Sequence, residues 1–504
     1  MLPAPATTEP KKSGLAYWAA RVLEECDKAS AGFAADPVHD LRVAIRRCRS
    51  MADGFLSVDP DPAWKQMKRL AKPLFASLGE LRDTQVMLEW VSKLSPPDDV
   101  VARDLSAALQ HKESHLKTAA QEVLGAFDRK RWSALNEHLA QRTGRVPVEG
   151  AVFQHLALER WIEARELHRR ALRNRSGAAW HQLRIGIKRF RYNVENFLPE
   201  RHQKWSKDLR DLQDALGEVH DFDVLRAMVN GHAGIDPQER ALWQGRIREE
   251  RQKRLDLYRH KMVGSHSLWE QWRADLPSGS AIEQAALEKL RTWASFLDPD
   301  TDHSTLVAHL ALTLYDGLSH CGILRQQPRD RRILEAGALL HEVGRARHRE
   351  KHSHDEGHQK RAQRMVAKLA PPLGWTDDDM HCVASLVRFH RGALPVRNDP
   401  AFAGLDRKRR ADVLRMIGVL RLVNAFDETH HGKTRDLTVL ERGGAIVVSG
   451  YGVSAMSREA ERIARARYLL ETVCHKPITV RLLRAPGRGK KKAARAESRA
   501  AQIS

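Results

Sequence analysis

The sequence predicts an all-α chain in two domains: a duplicated helical bundle with pseudo-twofold symmetry, then a mostly helical domain carrying a small β element. Three observations predict it. Residues 15–272 are rich in Ala, Leu, Arg, Glu and Lys, with few glycines inside the periodic segments, which reads as helix after helix. A strongly basic helix occurs twice in this region, at residues 38–49 (VHDLRVAIRRCR) and 180–191 (WHQLRIGIKRFR). Beyond residue 279 the amphipathic segments continue, and β-branched runs occur only near the end, at 445–449 (AIVVS) and 477–483 (PITVRLL), enough for a two-stranded element. A chain of 504 residues exceeds what one core usually spans.

Taken in order, residues 1–13 have no apolar run, cannot form a signal peptide and are expected to be disordered. The bundle is expected over 14–275, as repeats of about 14–140 and 150–275. Within the second repeat, the polar loop 173–178 (RNRSGA) precedes the basic helix. A second pair of blocks, LGELRDTQV at 78–86 and LGEVHDFDV at 216–224, follows the basic helices in the same order. His39 and His181 are 142 residues apart and Gly79 and Gly217 are 138 apart, so a four-residue insertion or deletion lies between the blocks, as an old duplication would leave. The Pro, Ser and Gly of 275–279 (DLPSG) mark the boundary, with a linker over 276–289, a second domain over 290–484 and a disordered basic tail over 485–504.

The formal charge of +21 and isoelectric point near 10.0 point to a polyanionic partner: nucleic acid, an anionic membrane surface or a phosphate polymer. The five cysteines form no C-x-x-C pair, which implies neither a disulfide framework nor a structural zinc site and fits a reducing compartment. No window approaches the ~18 apolar residues of a membrane span. A soluble, cytoplasmic protein is expected.

On a helix, His39, Arg42, Arg46 and Arg49 are spaced by three, four and three residues and form one stripe, which His181, Arg184, Lys188 and Arg191 repeat. Leu41, Ile45 and Cys48, and their counterparts Leu183, Ile187 and Phe190, occupy a second, core-facing side. A single basic stripe is most often a solvated face. Repetition at the same spacing argues against that reading, because a solvated face accepts Glu, Gln or Ser anywhere along it. Neither stripe contains glutamate, and no acidic i+4 partner is expected to neutralise it. Guanidinium groups suit a phosphate chain, since each presents planar bidentate donors.

The blocks VHDLRVAIRRCR and LGELRD, with their repeats WHQLRIGIKRFRY and LQDALGEVHDFDVL, resemble the CHAD (conserved histidine α-helical) domain over about residues 14–275. The resemblance implies a helical pseudo-twofold domain whose basic channel binds inorganic polyphosphate. Its ligand-facing set maps onto His39, Arg42, Arg46, Arg49, His181, Arg184, Lys188 and Arg191, with Lys68, Lys72, Lys204 and Lys207 as further candidates in the following helices. Protonation of His39 and His181 is then expected to strengthen binding as pH falls. No aromatic stacking platform or base-reading motif is evident, which argues against sequence-specific nucleic-acid binding and leaves the non-specific kind open.

The second domain is rich in histidine, at 303, 309, 341, 348, 352, 354, 358, 381 and 390. Residues 332–345 (RILEAGALLHEVGR) resemble the His-Asp helix of HD-domain phosphohydrolases. Together with His303 in DHSTLVAHLALTLYDGL, KHSHDEGHQKRA, RFHR at 388–391 and LRLVNAFD at 420–427, they resemble the C-terminal HD-like domain of the exopolyphosphatase/guanosine pentaphosphatase family over about 290–484. An active HD site holds a divalent metal on His, His-Asp and a last Asp. The matching positions are His303, His341, Glu342 and Asn424. Glutamate is one methylene longer than the expected Asp, and Asn424 supplies only a neutral carbonyl, with Asp427 three residues on as its substitute. The resemblance also implies that His352, His354, His390 and Arg391 line a phosphate-facing pocket.

Three readings follow. The first is a polyphosphate-binding protein whose degenerate HD-like domain has a binding or regulatory role, needing no cofactor and located in the cytoplasm with polyphosphate granules. The second is a metal-dependent phosphohydrolase, with Mn, Fe or Zn on His303, His341, Glu342 and Asp427, acting on polyphosphate or a phosphorylated nucleotide. The third is a non-specific nucleic-acid-binding protein. A membrane partner is not expected, and the oligomeric state is left open.

Overall fold

The structure is a computed structural model that describes residues 14–346, 357–396, 399–451 and 458–483. The expected disordered segments, 1–13 and 485–504, lie outside the described residues, as do His348, His352 and His354. The chain divides into two compact units, Met1–Ala285 and Ala286–Ser504. Helix dominates both, and no described helix is long and apolar enough to cross a membrane.

The first unit opens with α1 (Leu15–Ala29), α2 (Ala35–Phe55), α3 (Pro62–Leu70), α4 (Lys72–Leu94), α5 (Val100–Gly125) and α6 (Arg129–Thr143). It continues with α7 (Ala151–Asn174), α8 (Gly177–Phe197), α9 (Pro199–Gly231), α10 (Pro237–Met262) and α11 (Leu268–Ala274). The duplication is visible helix by helix. The basic helices are α2 and α8, both 21 residues long, and α5 and α10 are both 26 residues long. Their N-caps also correspond, since Asp99 and Asp236 each accept backbone N–H bonds at the helix start.

One helix differs. The 33-residue α9 corresponds to α3 and α4 together, which part at Ala71. Pro73 lies just inside α4, and a proline there cannot donate its backbone bond and crowds the carbonyl four residues back. The register shift falls between α2 and α3, where residues 56–61 separate the helices, against Leu198 alone between α8 and α9. At the meeting of the two repeats, Phe55 lies edge-to-face on its counterpart Phe197 with centroids 5.5 Å apart, and Phe197 stacks on Phe153 at 4.0 Å. A Cβ on Gly54 would fall 2.4 Å from the Phe197 ring, so only glycine admits this approach.

The expected linker 276–289 is helical from residue 280, within α12 (Ser280–Ser295), because residues 280–295 carry an amphipathic pattern that outweighs the preceding Pro-Ser-Gly. The second unit then contains α13 (Thr301–His320), α14 (Pro328–Leu340), α15 (His358–Val366), α16 (Asp377–Phe389) and α17 (Arg407–Phe426) around one apolar core. After α17 come β1 (Leu437–Arg442), β2 (Ala445–Tyr451), α18 (Arg458–Ala466), α19 (Tyr468–Cys474) and β3 (Ile478–Leu483). The expected two-stranded element is a three-stranded sheet. β1 and β2 form an antiparallel hairpin through Gly443 and Gly444, both at positive φ, and β3 returns parallel to β2 after α18 and α19.

Candidate functional site

In the first unit α2 and α8 face each other through polar side chains. Arg46 donates to the Tyr192 hydroxyl at 2.8 Å, Asn196 donates to Ser50 at 3.0 Å, and Arg47 pairs with Glu195. Arg42 and Arg49 both lie over one ring, Phe75, at 5.0 and 4.9 Å from its centroid. Arg42 reaches α4 because Gly79, the glycine of LGELRD, leaves room: a Cβ there would meet its guanidinium at 2.7 Å. Gly217, the corresponding glycine of the second repeat, has open space around its missing Cβ.

Burial and mutual repulsion dominate the electrostatics. Burial, then Arg184, Arg46 and Arg42, push the Lys188 ammonium down to about 7. Burial also lowers Arg42 to about 10, against the pull of Asp83 and with the push of Arg46 and Arg184. Arg184 is lowered by burial and supported by Asp221 and Asp83. These two aspartates end the repeated LGELRD and LGEVHD blocks, so the second block supplies counter-charge to the first. The Asp221 carboxyl is itself raised by burial to about 6. Nη1 of Arg49 and Nε of Arg184 are buried without a hydrogen-bond partner.

Two cavities flank the Arg46–Tyr192 contact, and both residues line each of them. One, of about 480 Å³, is lined by the cations of Arg46, Arg49, Lys68, Arg160 and Arg189, against one carboxylate, Asp53. Lys68 is paired with that aspartate. The other, of about 230 Å³, is lined by His39, Arg47, Arg191 and Arg210, with Glu195 and Asp214. Of the four further lysines only Lys68 reaches either cavity; Lys72, Lys204 and Lys207 lie exposed on α4 and α9.

Two expectations need correction. Arg191 does have an acidic i+4 partner, Glu195, at 3.6 Å. The pKa values of His39 and His181 are also lowered rather than kept in their ordinary range, by burial first and then by Arg82 and Arg46 at His39 and by Arg184 and Lys188 at His181. Sequence reasoning missed Phe75, Tyr192, Arg160 and Arg189. Only Arg189 carried a signal, as the counterpart of Arg47.

In the second unit a cluster of histidines surrounds Glu342, each of them at most 3% exposed. His341 and His390 are built alike: each caps the C-terminus of its helix, α14 or α16, and places Nδ1 on the carbonyl three residues back, Ala338 at 2.6 Å and Val387 at 2.8 Å. That bond fixes the tautomer and turns the Nε2 lone pair inward. His303, on α13, is held in the same sense by Asp427, which accepts from Nδ1 at 2.8 Å. Nε2 of His303 and Nε2 of His341 then lie 3.3 Å apart, with Asn424 Oδ1 3.2 Å from the latter. His358 begins α15, and its Nε2 is 3.3 Å from that of His390 and 3.5 Å from Glu342 Oε1. It comes this close because Gly344 lies against its backbone: a Cβ there would be 2.1 Å from the His358 carbonyl.

Burial pushes His341 down to about 4 and His390 well below its ordinary value, which keeps both rings neutral. Glu342 is the reverse. Burial opposes its charge, but the hydrogen bond from His358 and the neighbouring His341 and His390 hold it far below the usual carboxylate range, and Arg345 pairs with it. Lone pairs from at least two neutral rings and one carboxylate thus converge with few protons between them. The HD resemblance implies a divalent metal, and this donor set fits one: His303, His341 and Glu342 offer atoms within 4.8 Å of one another. The expectation that Asp427 stands in as a metal ligand needs correction: both of its oxygens are engaged, one by His303 Nδ1 and the other by Gly432 N at 2.7 Å, so it holds the His303 ring in place instead. His309 is exposed, 3.9 Å from Asp436, and Arg391 is only partly buried. His358 is singled out in the sequence only as one of the clustered histidines, and its place beside Glu342 is set by tertiary packing. A cavity of about 600 Å³, lined among others by His303, Asp427, His430, His431 and Arg435, opens beside the cluster.

A CHAD-domain family model matches residues 15–230, and a model for Ppx/GppA phosphatase, domain III, matches residues 282–442. No curated protein matches the chain significantly.

Proposed function

We propose that this chain, a CHAD domain followed by a Ppx/GppA-type domain III with a polyphosphate-related role, binds inorganic polyphosphate between α2 and α8. The observation that carries the reading is the crowding of Arg42, Arg46, Arg184 and Lys188. Cations buried together depress one another, and buried guanidinium N–H groups without partners cost free energy. A chain of phosphates relieves both at once. A flexible linear polyanion also suits two small cavities, of about 480 and 230 Å³, that share Arg46 and whose charged lining is mainly cationic. Non-specific nucleic-acid binding would draw on exposed charge instead.

The test is binding of long-chain polyphosphate to the whole protein across a salt series. Binding should weaken steeply with salt, by analogy with counterion release from nucleic acids. The quadruple variant Arg42→Glu, Arg46→Glu, Arg184→Glu and Lys188→Glu, if folded by circular dichroism, should lose at least ~100-fold in affinity. Parental affinity in that variant, or full displacement of polyphosphate by excess DNA, excludes the reading.

A further inference from the structure

We infer that the larger of the two cavities in the first unit is an end seat: it receives the terminal phosphate of a polyphosphate chain, and Asn193 recognises the hydroxyl that sets this phosphate apart. The inference rests on polyphosphate binding between α2 and α8 and adds a direction to it, with one end of the chain fixed. Asn193, on α8, is 5% exposed and lines this cavity together with Arg46, Arg49 and Phe75. Its Oδ1 and Nδ2 are both buried with no hydrogen-bond partner among the described residues, as is Nη1 of Arg49. An amide buried in that state costs free energy, so the fold gains nothing from it.

The duplication supplies an internal control. Met51 is the counterpart of Asn193, 142 residues earlier, the same spacing that separates His39 from His181. It is buried on α2 at 3% exposure and is apolar. A hydrocarbon side chain therefore meets the packing needs of this position, and the amide answers to something else. The cavities have diverged in step. Arg49, Asp53 and Phe75 line the larger one, and their counterparts Arg191, Glu195 and Gln213 line the smaller. In the smaller, Glu195 pairs with Arg47 and lies 3.6 Å from Arg191, and Asp214 adds a second carboxylate. In the larger, Lys68 takes up Asp53, and Arg160 and Arg189 share Glu163 at 2.8 and 2.7 Å. Arg46 and Arg49 rest instead on Tyr192 and Phe75, with no carboxylate partner among the described residues.

Two uncommitted guanidinium groups beside an unbonded amide suit an anion that can also donate. Phosphates inside a chain present only acceptor oxygens, which arginine satisfies, whereas the orphaned Oδ1 of Asn193 needs a donor. The terminal phosphate has a second ionisable oxygen, which in phosphate monoesters titrates at about pH 6. When protonated it donates to Oδ1, while a neighbouring oxygen accepts from Nδ2.

The experiment is isothermal titration calorimetry of the full-length protein at about pH 5.5 with two short linear polyphosphates of one length. One has free ends; the other has both terminal phosphates capped as methyl esters. At this pH the free terminal phosphate is largely singly charged, as the ester is, so the two ligands differ chiefly in the end hydroxyls. The free-ended chain should bind ~10-fold tighter to the parent protein. In Asn193→Met the ratio should fall to about one, and Asn193→Ala gives the same reading if the longer side chain does not fit. Equal affinities in the parent, or a tenfold ratio retained in the variants, overturn the end seat and leave polyphosphate binding standing. If neither chain binds the parent, the polyphosphate reading falls and the end seat with it. Because the parent comparison decides by itself, an unfolded variant does not block the test.

Discussion

At Lys188, burial and three guanidinium neighbours bring the ammonium to about 7, far below an ordinary lysine, and the consequence for stability has a definite sign. A base depressed on folding makes the folded state bind fewer protons, so stability falls as pH drops from about 10.5 towards 7, and the cost is complete below that. Each tenfold loss of proton affinity on folding costs about 1.4 kcal/mol. Lys188→Met should therefore raise the thermal midpoint at pH 7 by ~3 °C or more while weakening polyphosphate binding; a lower midpoint would show that the ammonium is not strained. A bound phosphate chain recharges the group. For the parent protein, affinity should rise by up to about tenfold for each pH step of one between pH 9 and pH 7 and then level off, a profile that fluorescence anisotropy can follow. Control by His39 and His181 would give a rise only below pH 6.5, because both are lowered.

Among the elements, the basic helices and their duplication are legible because helical spacing is local: the stripe His39–Arg42–Arg46–Arg49 and its repeat need nothing beyond a period of 3.6. What those helices meet is not legible. Asp83 and Asp221 reach the arginines from other helices, and His358 and His390 reach Glu342 from two more, contacts that only tertiary packing creates. Strand β1 had a readable cue, the Gly443–Gly444 pair ahead of a β-branched run, but its own LTVLER alternates weakly. Helical glycines separate the same way. Gly54 and Gly217 look alike in sequence, yet a Cβ at Gly54 collides with Phe197 and one at Gly217 meets open space. Gly54→Ala should destabilise by about 1–3 kcal/mol, whereas Gly217→Ala should stabilise by about 0.5–1 kcal/mol. Thermal melts of the two variants check this, and equal shifts would mean that α2 and α8 do not approach at Gly54.

For the whole molecule, two compact units with separate cores and separate candidate ligands imply that heat should reveal them separately. A ligand that binds only the folded form stabilises it by RT ln(1 + [L]/Kd), about 2.7 kcal/mol at a hundredfold excess over Kd. Polyphosphate should therefore move one calorimetric transition and Mn²⁺ the other, each leaving its neighbour in place. The assignment follows from the variants: Lys188→Met should shrink the polyphosphate-dependent shift without touching the Mn²⁺-dependent one, and His303→Gln with His341→Gln should abolish the Mn²⁺-dependent shift and leave the polyphosphate-dependent one in place. If both ligands moved one transition together, polyphosphate would be occupying the histidine cluster as well, and the net charge of +21 would be serving a single site rather than a binding unit joined to a metal unit.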